Sequence, residues 1–172
     1  ISHLTDQMSK EDAHHFDQNI YNNLMETHWE LSHDRPAGEA RIKVHAPCME
    51  GSQRRKTVID IVSDDVAFVV DSVAATINQH KYLIELLVHP VLNTVYDDKG
   101  ELIEILPEGD DVKDNDKVRR QSYIHVHVHE NLSDEAAEAL KEDLLSTIAD
   151  VRVANRDWKT MLVRLKEASA AL

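Results

Sequence analysis

From Thr57 onward the spacing of apolar residues switches from two to about 3.6, returns to two, and then reverts to 3.6, and this order constrains the fold more than any other feature. Thr57 to Ser63 reads as a strand, with Ile59 and Ile61 on one side and Val58, Asp60 and Val62 on the other. A helix over 66–80 follows, buried along Val66, Val69, Val70, Val73 and Ile77 and capped by Asp64 and Asp65, whose carboxylates suit its unpaired first amides. Tyr82 to Val88 is too apolar for a surface strand, and Pro90, lacking an N–H, predicts a bulge or edge before Val91 to Tyr96. Asp97-Asp98-Lys99-Gly100 is a hairpin turn leading to Leu102 to Leu106. Tyr123 to Glu130 is a strand, and Ser133 caps a long helix carrying Ala137, Leu140, Leu144, Ile148 and Val151. Asp157 reads as the cap of a last helix with Trp158, Met161, Leu162 and Leu165.

Strand, helix, long strand, strand, helix is the ferredoxin-like split arrangement lacking its last strand. An upstream segment can fill the gap. Ile42, Val44 and Ala46 alternate with Arg41, Lys43 and His45, and a loop of ten residues lets strand 40–46 fold back antiparallel on 57–63. The expected sheet order is 40–46, 57–63, 122–130, 82–96. Helices 66–80 and 133–152 should cover one face, leaving Arg41, Lys43, Asp60, His125 and His127 on the other. Ahead of the sheet, Ser9 caps an amphipathic helix carrying Phe16, Ile20, Leu24 and Trp29, which should stop before Asp34-Arg35-Pro36-Ala37-Gly38. The expected class is α+β, an antiparallel sheet with helices on one face and helical additions at both termini. Residues 1–36 form a helical segment, 37–155 the α/β domain and 156–172 a helix leading onward.

The chain has 172 residues, long enough for one domain with appendages. Its net charge of −13 would repel a phosphate backbone or an anionic membrane, so neither nucleic acid nor membrane is expected as a partner. Cys48 is the only cysteine, which excludes an internal disulfide and favours a reducing, cytoplasmic setting. No apolar run approaches the roughly 20 residues a membrane helix requires. The start at Ile1 fits a piece of a longer chain.

His125-Val-His-Val-His129 puts three imidazoles on one strand face. Alternate strand residues lie roughly 6.6 Å apart, so His125 and His127 can share a metal ion, whereas His125 and His129, about 13 Å apart, cannot. A third ligand would come from Asp60 or His89. The competing reading is an exposed or interface-facing polar surface, and near Asp60 these histidines could also titrate together. Cys48 has no partner for nucleophilic catalysis, Trp29 and Trp158 read as packing residues, and Glu108 to Asp116 lacks the ligand spacing of a calcium loop.

Three stretches carry a resemblance: Ile61-Val-Ser-Asp-Asp-Val-Ala-Phe-Val-Val-Asp-Ser-Val73, Leu87-Val-His-Pro-Val-Leu92 and Ser122-Tyr-Ile-His-Val126. Together with the acidic cap and a helix ending in Arg156-Asp157-Trp158, they resemble the amino-terminal region of the large NAD-specific glutamate dehydrogenases, in the family's order across most of 57–165. The chain differs from the family pattern at Ala67, His127 and His129. The resemblance implies an ACT-like segment serving regulation or assembly, ahead of a catalytic part that uses NAD to convert L-glutamate to 2-oxoglutarate and ammonia. It implies no catalytic residue and no cofactor here, with partners among other domains and subunits of a homo-oligomer. It also makes Asp64, Asp65, Val66, Ala67 and Phe68 the turn that would receive a small amino-acid effector. Helix-start amides would attract its carboxylate, and an aspartate would meet its ammonium. The alternatives are a free-standing amino-acid or metal sensor and, last, a small hydrolase using the histidine strand.

Overall fold

The computed structural model describes residues 26–46, 56–106 and 118–170. The helix start at Ser9, Cys48 and the acidic stretch 108–116 lie outside them. After helix α1, described over 26–32, come β1 (Arg41–His45), β2 (Thr57–Asp64), α2 (Val69–Gln79), β3 (Ile84–Val88), β4 (Val91–Tyr96), β5 (Leu102–Leu106), β6 (Val118–Val128) and α3 (Asp134–Ala170). The sheet is antiparallel in the order β1-β2-β6-β4-β5, and β3 pairs with the same edge of β6 as β4.

The expected order therefore holds, including the antiparallel return of β1 onto β2, with Lys43 opposite Asp60. Pro90 interrupts the long strand as its missing N–H requires: β3 covers one half of β6 and β4 the other, and Tyr123 N donates to the Pro90 carbonyl at the break. The hairpin after β4 closes on Asp97, whose Oδ1 accepts from Lys99 N and Glu101 N, while Gly100 supplies the positive φ of 86°.

Period two on the strands and 3.6 on the helices converge on one core. Ile59, Ile61, Ile124 and Val126 point from the sheet to Val73 and Ile77 of α2 and to Leu140, Leu144 and Ile148 of α3. Ser133 begins α3 as expected, its Oγ accepting from Ala136 N. Three expectations change. Helix α3 is continuous through Asp157, so no second helix starts there. Strand β6 begins at Val118, ahead of the expected start at Tyr123.

The third change concerns the other sheet face, which is not open. Ser32 of α1 exchanges a hydrogen bond of 2.9 Å with the Tyr123 hydroxyl, and its carbonyl accepts from Tyr96 Oη. Gln121 completes this buried set through Tyr96 and Tyr123, and Leu31 packs against the Val62, Leu92 and Tyr123 cluster. Trp29 and Trp158, expected to seal packing, are 42% and 59% exposed. None of the helices among the described residues is long and apolar enough to cross a membrane.

Replacing Ile124, fully buried between sheet and helices, by Ala should lower unfolding free energy by about 2–5 kcal/mol, whereas Val153→Ala on exposed helix should stay within about 0.5 kcal/mol. Urea denaturation midpoints of the two variants test this, and equal costs would contradict the assigned core.

Candidate functional site

The α1 face of the sheet carries a buried cluster of titratable groups. The β2–β6 register sets Asp60 directly opposite His125, and strand alternation puts His127 on the same face. Asp60 Oδ1 accepts from His125 Nδ1 at 2.5 Å, and Oδ2 accepts from His45 Nε2 of β1 at 2.7 Å. His28 of α1 stands above, its Nε2 3.5 Å from Asp60 Oδ1 and its ring edge-on to Tyr123. His125 Nε2 lies 2.8 Å from His127 Nε2. Asp60, His125 and His127 are only 1%, 4% and 8% exposed, which corrects the reading of an exposed polar surface.

An ionised carboxylate only accepts, so His125 carries a proton on Nδ1 and His45 one on Nε2. With His125 neutral, its Nε2 accepts from His127 Nε2–H, and one arrangement of protons satisfies the chain. Burial raises the Asp60 pKa, but hydrogen bonds from His125 and His45, with the charges of His125 and His28, outweigh it and hold the carboxyl well below the usual range. His28 and His127 are both lowered to about 4, chiefly by burial. Proximity to His125 adds to both shifts, and Asp60 opposes them.

The strand thus brings the two proposed metal ligands, His125 and His127, together. Asp60, however, is engaged through both oxygens by imidazoles, and His89 Nε2 instead meets Ser122 Oγ at 2.6 Å. Among the described residues no group of three His, Cys, Asp or Glu is arranged to hold an ion. His129 lies past the end of β6 and pairs with Glu85.

The turn expected to receive an effector is also rearranged. Asp64 does not cap α2: its Oδ1 accepts from Nη2 of the buried Arg35 at 2.7 Å. Asp65 accepts from Arg120 Nε at 2.6 Å. With both carboxylates held by arginines, α2 starts only at Val69, after Phe68 at φ 68° and with no side-chain cap. Phe68 is 72% exposed, and Asn155 of α3 holds the Ala67 carbonyl. Asp64 and Val66 line a cavity of about 320 Å³ closed by Gly38, Glu39 and the α3 residues Leu145 and Arg152. Asp65, Ala67 and Phe68 do not line it. Sequence reasoning missed Arg35, Glu39 and Arg152. The sequence offered Asp34-Arg35-Pro36-Ala37-Gly38 only as the stop of the first helix.

Two helices packed on one face of an antiparallel sheet built around a split βαβ core define an ACT-like α+β domain. The family model for the glutamate dehydrogenase ACT1 domain matches residues 1–144, and the chain belongs to that family. It is similar to an NAD-specific glutamate dehydrogenase of Pseudomonas aeruginosa, 30% identical over 141 residues that make up 81% of this chain and 8% of that protein. A second NAD-specific glutamate dehydrogenase, from Halomonas elongata, is 27% identical over 131 residues, 74% of this chain and again 8% of the relative. The chain therefore spans about 8% of the length of either relative.

The buried imidazoles set an acid limit on stability. An unfolded chain protonates His28 and His127 near pH 6.5, whereas the folded chain resists until about pH 4, so the unfolded state binds more protons between these values. Stability should fall as pH drops through that window, by up to about 1.4 kcal/mol per pH unit for each imidazole. Below it, protonation of Asp60 adds a further loss, because a depressed carboxyl stabilises only while ionised. His28→Phe keeps a ring edge-on to Tyr123 and removes one titration. Urea denaturation at pH 7 and pH 5 should show a smaller loss for this variant, and an identical loss would contradict the role given to His28.

Proposed function

We propose that this chain is a non-catalytic regulatory or assembly domain of an NAD-dependent glutamate dehydrogenase. The parent enzyme oxidatively deaminates L-glutamate to 2-oxoglutarate and ammonia in the cytoplasm, binding NAD in a separate catalytic domain. The observation that carries the reading is the ACT1 family match over 1–144, together with relatives named as NAD-specific glutamate dehydrogenases. Burial supports the non-catalytic part: Asp60, His125 and His127, the densest group of acid-base side chains described, lie beneath α1, away from any substrate in solvent. Partners are the other domains and subunits of the homo-oligomeric enzyme, with a small amino acid as effector. A net charge of −13 weighs against nucleic acid and anionic membranes. A free-standing amino-acid or metal sensor has less support, since both relatives carry the name of an enzyme.

Deleting the domain from the full-length enzyme tests the reading. Turnover of glutamate with NAD should persist within about tenfold, a small loss beside typical enzymatic accelerations, while oligomeric state or the response to amino acids changes. Abolished turnover with the oligomer intact, measured by light scattering, would overturn it.

A further inference from the structure

We propose that α3 pairs antiparallel with α3 of a second copy of this chain, laying the basic free half of each helix along the acidic half of the other. The inference rests on the assembly reading above and supplies the surface for it.

Charge is divided along α3. From Asp134 to Asp150 six acidic residues outnumber one lysine, a net of −5, while from Val151 to Ala170 five basic residues outnumber two acidic ones, a net of +3. A helix dipole favours acids at the start and bases at the end, but it acts only within the first and last turns. Glu142, Asp143, Asp150, Arg152 and Arg156 all lie further in, so the dipole does not account for them. The chain as a whole carries −13, and a second copy offers the basic half an acidic counterpart of matching length.

Side-chain size follows the same division. Among the described residues Val151 is the last of α3 to pack on the core. Beyond it Val153, Trp158 and Met161 are 46%, 59% and 57% exposed. The first half instead turns small residues to solvent, Ala139, Ser146 and Ala149, over which a second helix can approach closely. At 3.6 residues per turn Ala139, Glu142, Ser146, Val153, Met161 and Arg164 fall within about 100° of one another around the axis. All six are exposed, and Trp158 borders them beside Met161.

An antiparallel pair satisfies both divisions at once. The midpoint of α3 falls at Arg152, so full overlap sets Arg164 between Glu138 and Glu142 of the second copy and Trp158 opposite its Ser146. Val153 lies beside the two-fold axis, and every other contact occurs twice. Pairing the two free halves alone would instead set basic residues against basic ones. Glu138 already meets Lys141 on its own helix at 3.1 Å, but such an exposed pair contributes little, and a carboxylate accepts from more than one donor.

Cross-linking in the full-length enzyme tests the pairing. In Val153→Cys the introduced thiols lie next to the two-fold axis, and a short bis-maleimide should join two subunits. Denaturing electrophoresis should then show a band of twice the subunit mass, beyond any given by the unsubstituted enzyme. Adding Arg164→Glu should cut that band about fivefold, because the reversed contact occurs twice in each interface. Adding Glu138→Arg and Glu142→Arg to that variant should restore the band, which separates lost pairing from misfolding. Absence of the doubled band from Val153→Cys would overturn the proposal and assign the free half of α3 to another part of the same polypeptide. Equal bands in all three variants would overturn it too. The deletion experiment reads turnover and the response to amino acids, so the non-catalytic reading can stand while this pairing fails.

Discussion

One carboxylate governs the architecture of the second sheet face. Asp60 sits in the second strand at 1% exposure, and a charge in that position is tolerated only when donors surround it. His125 across the ladder and His45 on the edge strand supply hydrogen bonds, and His28 arrives from α1. The last of these ties tertiary structure to electrostatics, because a helix must lie across the face for its imidazole to approach. Tyr96, Tyr123 and Gln121 then meet Ser32, so the helix is seated by polar contacts as much as by Leu31. Such a face specifies one docking position, since a slip of α1 by one residue would leave several buried groups without partners.

Where the fold was legible, a residue pattern had only one physical outlet. Ile59, Ile61, Ile124 and Val126 alternate with other residues on adjacent strands, and a single layer of helices buries them together. Pro90 broke the long strand where a ladder donor was missing, and the short span between His45 and Thr57 forced β1 onto the free edge of β2. Neither needed any knowledge of distant contacts. The alternation from His125 was also read correctly as a strand up to Val128, but its environment was not. Polar alternation ordinarily marks a wet face, and burial was achieved instead by partners about 65 or more residues away in sequence, Asp60 and His28.

The misread aspartates illustrate a related limit. Asp64 and Asp65 have the side chains and position of helix caps, yet Arg35 and Arg120 engage their carboxylates instead. The helix consequently starts later, behind an exposed Phe68 in a left-handed conformation. In α3 the error ran the other way. Asp157 was taken as a cap, although the chain contains neither Gly nor Pro from Ser133 to Leu172, so nothing in the backbone stops the helix there.

That uninterrupted helix runs beyond the core that anchors it. Leu144, Ile148 and Val151 fasten the first part of α3 to the core, whereas Val153, Trp158 and Met161 leave the following turns with exposed apolar side chains. Arg152 lies at this junction, held to the Gly38 carbonyl on one side and to the cavity on the other. An α-helix is stiff over a few turns, and α3 at 37 residues extends about 55 Å. Arg152 therefore lies where the anchored part of the rod meets its open part.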